Sequence, residues 1–181
     1  MDIKILIILV IFLISFYVEK SEAAPPSAQE YQIKAVFLYN FANFISWPSF
    51  AFYNENAPFT ICILGENPFQ LALEKAVKNE KIAGHPVVLS YFEKIYEVSS
   101  CHILFINNPK NNQLNESLNY LSQFPILTVS DTEGFVAQGG MIQFFQENNK
   151  VRFFINLDPL KAVGLQASAN LLRVAKLFSA Q

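Results

Sequence analysis

The sequence predicts an α/β fold: a single-domain layered sandwich with a mostly parallel central sheet, flanking helices and an antiparallel hairpin near the C-terminus. Three observations carry this expectation. Short apolar runs at 59–64, 86–90, 102–106 and 126–129 alternate with amphipathic segments, the pattern of strands joined by crossover helices. Two further runs, 141–146 and 151–156, are separated only by Glu147-Asn148-Asn149-Lys150, a hairpin spacing. Residues 24–181 number 158, enough for one domain with a core of its own.

The first element follows Ser27-Ala28-Gln29-Glu30, a capping-box pattern in which serine hydroxyl and glutamate satisfy free backbone donors. It opens a helix over about 28–45. Ile33, Phe37, Phe41 and Phe44 recur at helical spacing on one face, and Tyr31, Ala35, Leu38, Ala42 and Ile45 cover its neighbour. After Tyr31 only Gln32, Lys34, Asn40 and Asn43 interrupt the apolar surface. A helix apolar on most sides is buried on most sides. It is either a central core helix or one that turns a face to another chain.

An irregular stretch follows Trp47-Pro48. The strand at 59–64 (FTICIL) ends at Gly65 and feeds a helix over about 68–78, with Pro68 in its first turn. Between the third and fourth strands, residues 113–123 place Leu114, Leu118 and Leu121 on one helical face. After the hairpin, Asp158-Pro159 starts a helical pattern that runs to about 178, broken near Gly164, with Ser168 as a cap.

The amino end predicts export. Lys4 and the free amine precede a 14-residue stretch, 5–18, whose only polar residue is Ser15. That length suits a signal peptide and falls short of the ~20 residues of a spanning helix. Ser21 and Ala23 place small residues at −3 and −1 of a cut after Ala23, giving a signal peptide at 1–23 and a mature domain at 24–181. No cysteine stands near the cut, so no membrane anchor is expected after cleavage; an uncleaved anchoring helix is the alternative. The mature segment holds 11 basic and 12 acidic residues, which argues against nucleic acid and anionic membrane surfaces as partners. Eighteen phenylalanines and seven tyrosines exceed what core filling alone suggests, leaving some for an interface.

Candidate chemistry is sparse. Cys101 and His102 are adjacent, but neighbouring strand side chains point to opposite faces, so a thiolate–imidazole dyad is not expected. Two histidines, His85 and His102, and two cysteines without short ligand spacing do not make a zinc site. Export instead favours a disulfide between Cys62 and Cys101, closing a loop of about 40 residues worth roughly 4 kcal/mol; two reduced, buried thiols are the alternative. Gly139-Gly140 reads as a turn or close packing, Asp131 and Glu133 as a solvated turn, and Arg152 as a carboxylate binder or a snorkelling side chain. No nucleophile, base and oxyanion stabiliser assemble, so no enzyme, cofactor or metal is expected.

Taken in order, several pieces resemble the YfiR family of exported proteins, a periplasmic domain of unknown function. They are Ala35, Tyr39-Asn40-Phe41, Trp47-Pro48, C-I-L-G at Cys62, C-H-I-L-F at Cys101, I-L-T-V-S-D, G-G-M-I-Q-F, V-R-F-F-I-N and the terminal G-L-Q-A-S-A-N-L-L-R-V-A. The resemblance implies a periplasmic regulator that acts by binding: it engages the periplasmic sensor portion of an inner-membrane diguanylate cyclase, lowering cyclic-di-GMP output and biofilm formation. It also implies a homodimer and redox-dependent folding, with Cys62 and Cys101 similar to one of the family's cysteine pairs. A second pair is lacking; Val136 and Gln143 stand at its expected places. Tyr39, Phe41 and Trp47 are the expected interface residues. A periplasmic small-ligand binding module is the rival from another class, and an exported hydrolase a distant third.

Overall fold

A computed structural model describes residues 27–98, 100–107 and 111–179. The expected signal peptide, its cut after Ala23 and the Pro25-Pro26 lead-in lie outside the described residues. Helix α1 (Ala28–Phe44) is followed by the short strand β1 (Ile45–Ser46), a 3-10 turn (Ser49–Ala51) and β2 (Phe59–Leu64). Then come α2 (Ala72–Val77), β3 (Lys81–Ile82), β4 (His85–Phe92), a 3-10 turn (Ile95–Glu97), β5 (Ile103–Ile106) and α3 (Asn111–Leu121). Beyond them lie β6 (Leu127–Ser130), β7 (Ile142–Glu147), β8 (Lys150–Asn156), α4 (Leu157–Ala162), β9 (Gln166–Ala167), α5 (Ala169–Val174) and β10 (Lys176–Phe178).

Eight strands form one sheet in the order β10-β8-β7-β6-β5-β2-β4-β3. Pairing is parallel from β7 through β4 and between β10 and β8; only the β7–β8 hairpin and the β3–β4 edge are antiparallel. The predicted mostly parallel sheet with its hairpin is the fold observed. Every residue of β2, β5 and β6 is buried, as expected of strands covered on both faces. Alternate side chains divide into two cores. Ile61, Ile63, Ile103, Phe105, Leu127 and Val129 pack with α1 and α2, whereas Cys62, Leu64, Leu104 and Ile106 pack with Leu114, Leu118 and Leu121 of α3.

Helix α1 departs from its sequence reading in two ways. Ser27 Oγ accepts from the Glu30 N–H at 3.2 Å, but the Glu30 carboxylate pairs with Lys34 instead of completing the capping box. The inward face is Ala35, Leu38, Phe41, Ala42 and Ile45, so Ile33 and Phe44, expected beside Phe41, remain exposed. The alanines let the helix lie close to the sheet, and that choice rotates the rest of the apolar surface outward. The helix stops because Ile45 turns extended and pairs with Ala167 in β9.

Two predicted helices were too long. The segment at 68–78 becomes helical only from Ala72, since Gln70 takes a left-handed conformation (φ 52°) that interrupts the α ladder. The tail is not a kinked helix to 178. Gly164 (φ 80°) ends it, β9 and β10 pair with β1 and β8, and only α4 and α5 are helical. Ser168 does cap α5, accepting from the Leu171 N–H at 3.3 Å. The hairpin turns through Asn148 and Asn149, both at positive φ as a type I′ turn requires. Gly140 is the close-packing position: a Cβ there would meet the Phe135 ring at 2.2 Å.

Candidate functional site

The two cysteines sit where neighbouring parallel strands bring them together. Ile61 of β2 faces Ile103 of β5, so Cys101, just before β5, lies beside Cys62. Their sulfurs form a disulfide with Cα atoms 6.0 Å apart, packed among Leu104, Leu114 and other side chains of the α3 core. His102 emerges on the opposite face. Its ring stacks on Phe59 and Phe52, with centroids at 4.6 and 4.4 Å. The adjacent Cys-His pair thus divides between two cores.

His102 is buried, and its Nδ1 accepts the Thr60 N–H at 3.1 Å. Burial, and secondarily the charge of His85, lowers its pKa to about 4, with the Ala51 carbonyl opposing. Phe52 lies between the two imidazoles, 4.2 Å from His85. Because the unfolded imidazole titrates near 6.5, the unfolded chain binds the extra proton first as pH falls. This contribution to stability is complete above pH 6.5 and drains away between 6.5 and about 4. Urea unfolding at pH 7 and pH 4.5 should differ by about 2–3 kcal/mol on this account, and His102→Gln should remove that part of the slope. An unchanged slope in the variant would exclude His102 as its source.

At the other end of the sheet, α1 is clamped by charges that the sequence reading missed. Lys34, 2% exposed, lies 2.6 Å from both Glu30 Oε1 and Asp131 Oδ2. Tyr31 donates its hydroxyl to Asp131 Oδ2 at 2.9 Å, and Gln146 donates to Glu30. Burial, followed by the Asp131 charge, raises the Tyr31 pKa and keeps the phenol a donor. Asp131, expected in a solvated turn, therefore ties the end of β6 to the start of α1. The i,i+4 spacing of Glu30 and Lys34 was a visible signal; Asp131, 97 residues from Lys34, was not.

The expected interface residues occupy three different settings. Phe41 lies in the core, its ring 5.0 Å from Phe153 and 5.7 Å from Phe144, and offers no outer surface. Trp47 is half-buried, edge-on to Phe59, and its Nε1–H donates to the His102 carbonyl at 3.3 Å. Tyr39 is partly exposed and donates to Glu80 at 2.7 Å, tying α1 to the loop after α2. The outward apolar stripe of α1 instead comprises Ile33, Val36 and Phe44, 42%, 52% and 37% exposed, flanking the half-buried Phe37 and Asn40. Gln32, Ile33, Val36, Phe37 and Asn40 outline a shallow, almost wholly apolar depression. Such a surface suits docking and lacks the polar groups that chemistry needs. No helix among the described residues is long and apolar enough to cross a membrane.

Two comparisons bear on these features. The curated proteins contain no significant match to the chain. The sequence profile of a family described as YfiR/HmsC-like, a family of non-catalytic periplasmic regulators, matches residues 31–176. That interval runs from Tyr31 in α1 to Lys176 in β10 and contains both cysteines, the buried charge cluster apart from Glu30, and the whole eight-stranded sheet apart from its last two residues. The chain belongs to the YfiR/HmsC-like family.

Proposed function

We propose that this protein is an exported, non-enzymatic regulator that binds the periplasmic part of an inner-membrane diguanylate cyclase and represses cyclic-di-GMP signalling. Cleavage after Ala23 would release residues 24–181 to the periplasm without an anchor. Family membership supports the regulatory role and the compartment. The observation that carries binding is the outward stripe Ile33, Val36 and Phe44, apolar surface left open on a helix whose other side is already filled by the sheet. Docking there removes it from water and favours whichever receptor state presents the complementary groove. The stripe is also suited to self-association about a two-fold axis, which supports the homodimer reading.

Co-purification from membranes, with the mature domain as bait, tests both readings. The wild-type domain should recover a sensor with a cyclase output domain, and deletion of its gene should raise cyclic-di-GMP. Val36→Glu should reduce recovery by at least about 30-fold, the effect of about 2 kcal/mol at an interface centre, with stability changed by no more than about 0.5 kcal/mol. Light scattering of the same pair reports whether the dimer uses the stripe. Recovery of no signalling receptor, in oxidising and in reducing buffer alike, would count decisively against the proposal.

A further inference from the structure

Between the carboxyl ends of β2 and β5 the chain leaves in opposite directions. After β2 it passes to α2 on the α1 side of the sheet; after β5 it passes to α3 on the other. Open α/β sheets bind ligands in the crevice at such a switch point. Here the crevice is a cleft of about 390 Å³, within the range of small-molecule sites. It is unrelated to the α1 stripe and to the charge clamp.

The cleft is built, not incidental. Gly65 ends β2 at φ +92°, and a Cβ on it would crowd the Asn107 carbonyl at 3.2 Å, so the two strand ends meet by close backbone approach. Asn107 Nδ2 donates to the Glu66 carbonyl at 2.8 Å, and the Asn107 N–H to the Leu64 carbonyl at 3.0 Å, bracing the rim. Leu64, Ile95 and Ile106, all buried, supply an apolar floor. Ser117 of α3 also lines it, 5% exposed, and its hydroxyl has no hydrogen-bond partner among the described residues. That hydroxyl is open to the cleft, where a polar atom of a ligand can meet it.

The rim sets the ligand's charge. Glu66, Glu93 and Glu116 line the cleft against one described cation, Lys94. Tyr96 donates its hydroxyl to Glu116 and holds the carboxylate beside an aromatic face. Carboxylates and a phenol ring both favour an ammonium group. We propose that this cleft binds a small organic cation, a protonated amine on a short apolar stem: the stem rests on Leu64, Ile95 and Ile106, the ammonium lies among the carboxylates, and Ser117 meets a polar atom of the ligand.

The test titrates the mature domain with three probes of one shape, pentylamine, pentanol and pentanoate, followed by amide NMR shifts. Pentylamine should give saturable shifts centred on Gly65, Asn107 and Ser117, at least tenfold tighter than pentanol, with none from pentanoate. Glu93→Gln/Glu116→Gln should weaken pentylamine at least tenfold while leaving the thermal midpoint near that of the parent; Glu55→Gln, away from the cleft, should leave binding unchanged. Similar binding of the three probes, shifts centred on α1, or no saturable shift would overturn the proposal. None of these outcomes depends on receptor recovery, so the two proposals fail separately.

Discussion

Replacing Cys62 and Cys101 together by alanine is expected to lower stability by about 4 kcal/mol. The crosslink joins residues 39 apart in sequence, and a loop of that length removes about 4 kcal/mol of unfolded-chain entropy on the loop-closure view. Cavity formation adds to this, because both positions are buried against the α3 core, so the figure is a lower one. The measurement is urea unfolding of the oxidised parent, the reduced parent and the double variant. The reduced parent should fall about 4 kcal/mol below the oxidised protein, and the double variant lower still by its cavity cost. A reduced parent within about 1 kcal/mol of the oxidised one would mean that the bond merely decorates a site already held by packing. Cys62 is fully buried, so reduction of the native protein should follow local opening of the β5 entrance and not simple collision with reductant. The crosslink is then part of how this domain becomes stable.

Lys34→Met is expected to cost about 3–5 kcal/mol. Removing one member of a buried ion cluster leaves its partners desolvated without compensation, and that penalty exceeds the net worth of the pairing. Here one ammonium serves two carboxylates, Glu30 and Asp131, so the substitution strands both. Methionine retains the side-chain volume and isolates the charge effect from a cavity. Adding Glu30→Gln and Asp131→Asn should recover much of the loss, because no formal charge then remains buried. Denaturation midpoints of the single and triple variants check this. A single variant within about 1 kcal/mol of the parent would mean that water reaches the cluster and screens it. If the loss is as large as expected, amide exchange in the first turns of α1 should accelerate first, since Asp131 holds them to β6.

The strands were legible because they advertise themselves locally. FTICIL, buried along its whole length, carries no polar interruption other than Thr60, and the β7–β8 hairpin is announced by two asparagines that tolerate positive φ. The tail was misread for a converse reason. Residues 166–167 and 176–178 carry helical spacing, but β1 and β8 offer them backbone partners that periodicity does not encode. The outward side of α1 was not legible. The sequence left open a core helix or one with a face turned outward; which side faces out depends on how Ala35 and Ala42 seat it, and Phe41 went inward as a result.

By itself the sequence determined the layered α/β class, the order of its six longest strands along the chain and the pairing candidates for its two thiols, because these follow from hydrophobic period and composition over a few residues. Only the tertiary structure decided that Asp131 meets Lys34, that Cys101 and His102 serve opposite cores, and that the ends of β2 and β5 open into a cleft. Those are meetings between distant segments, set by strand order and register across the sheet, and a side chain's neighbours in space are not written in its neighbours along the chain.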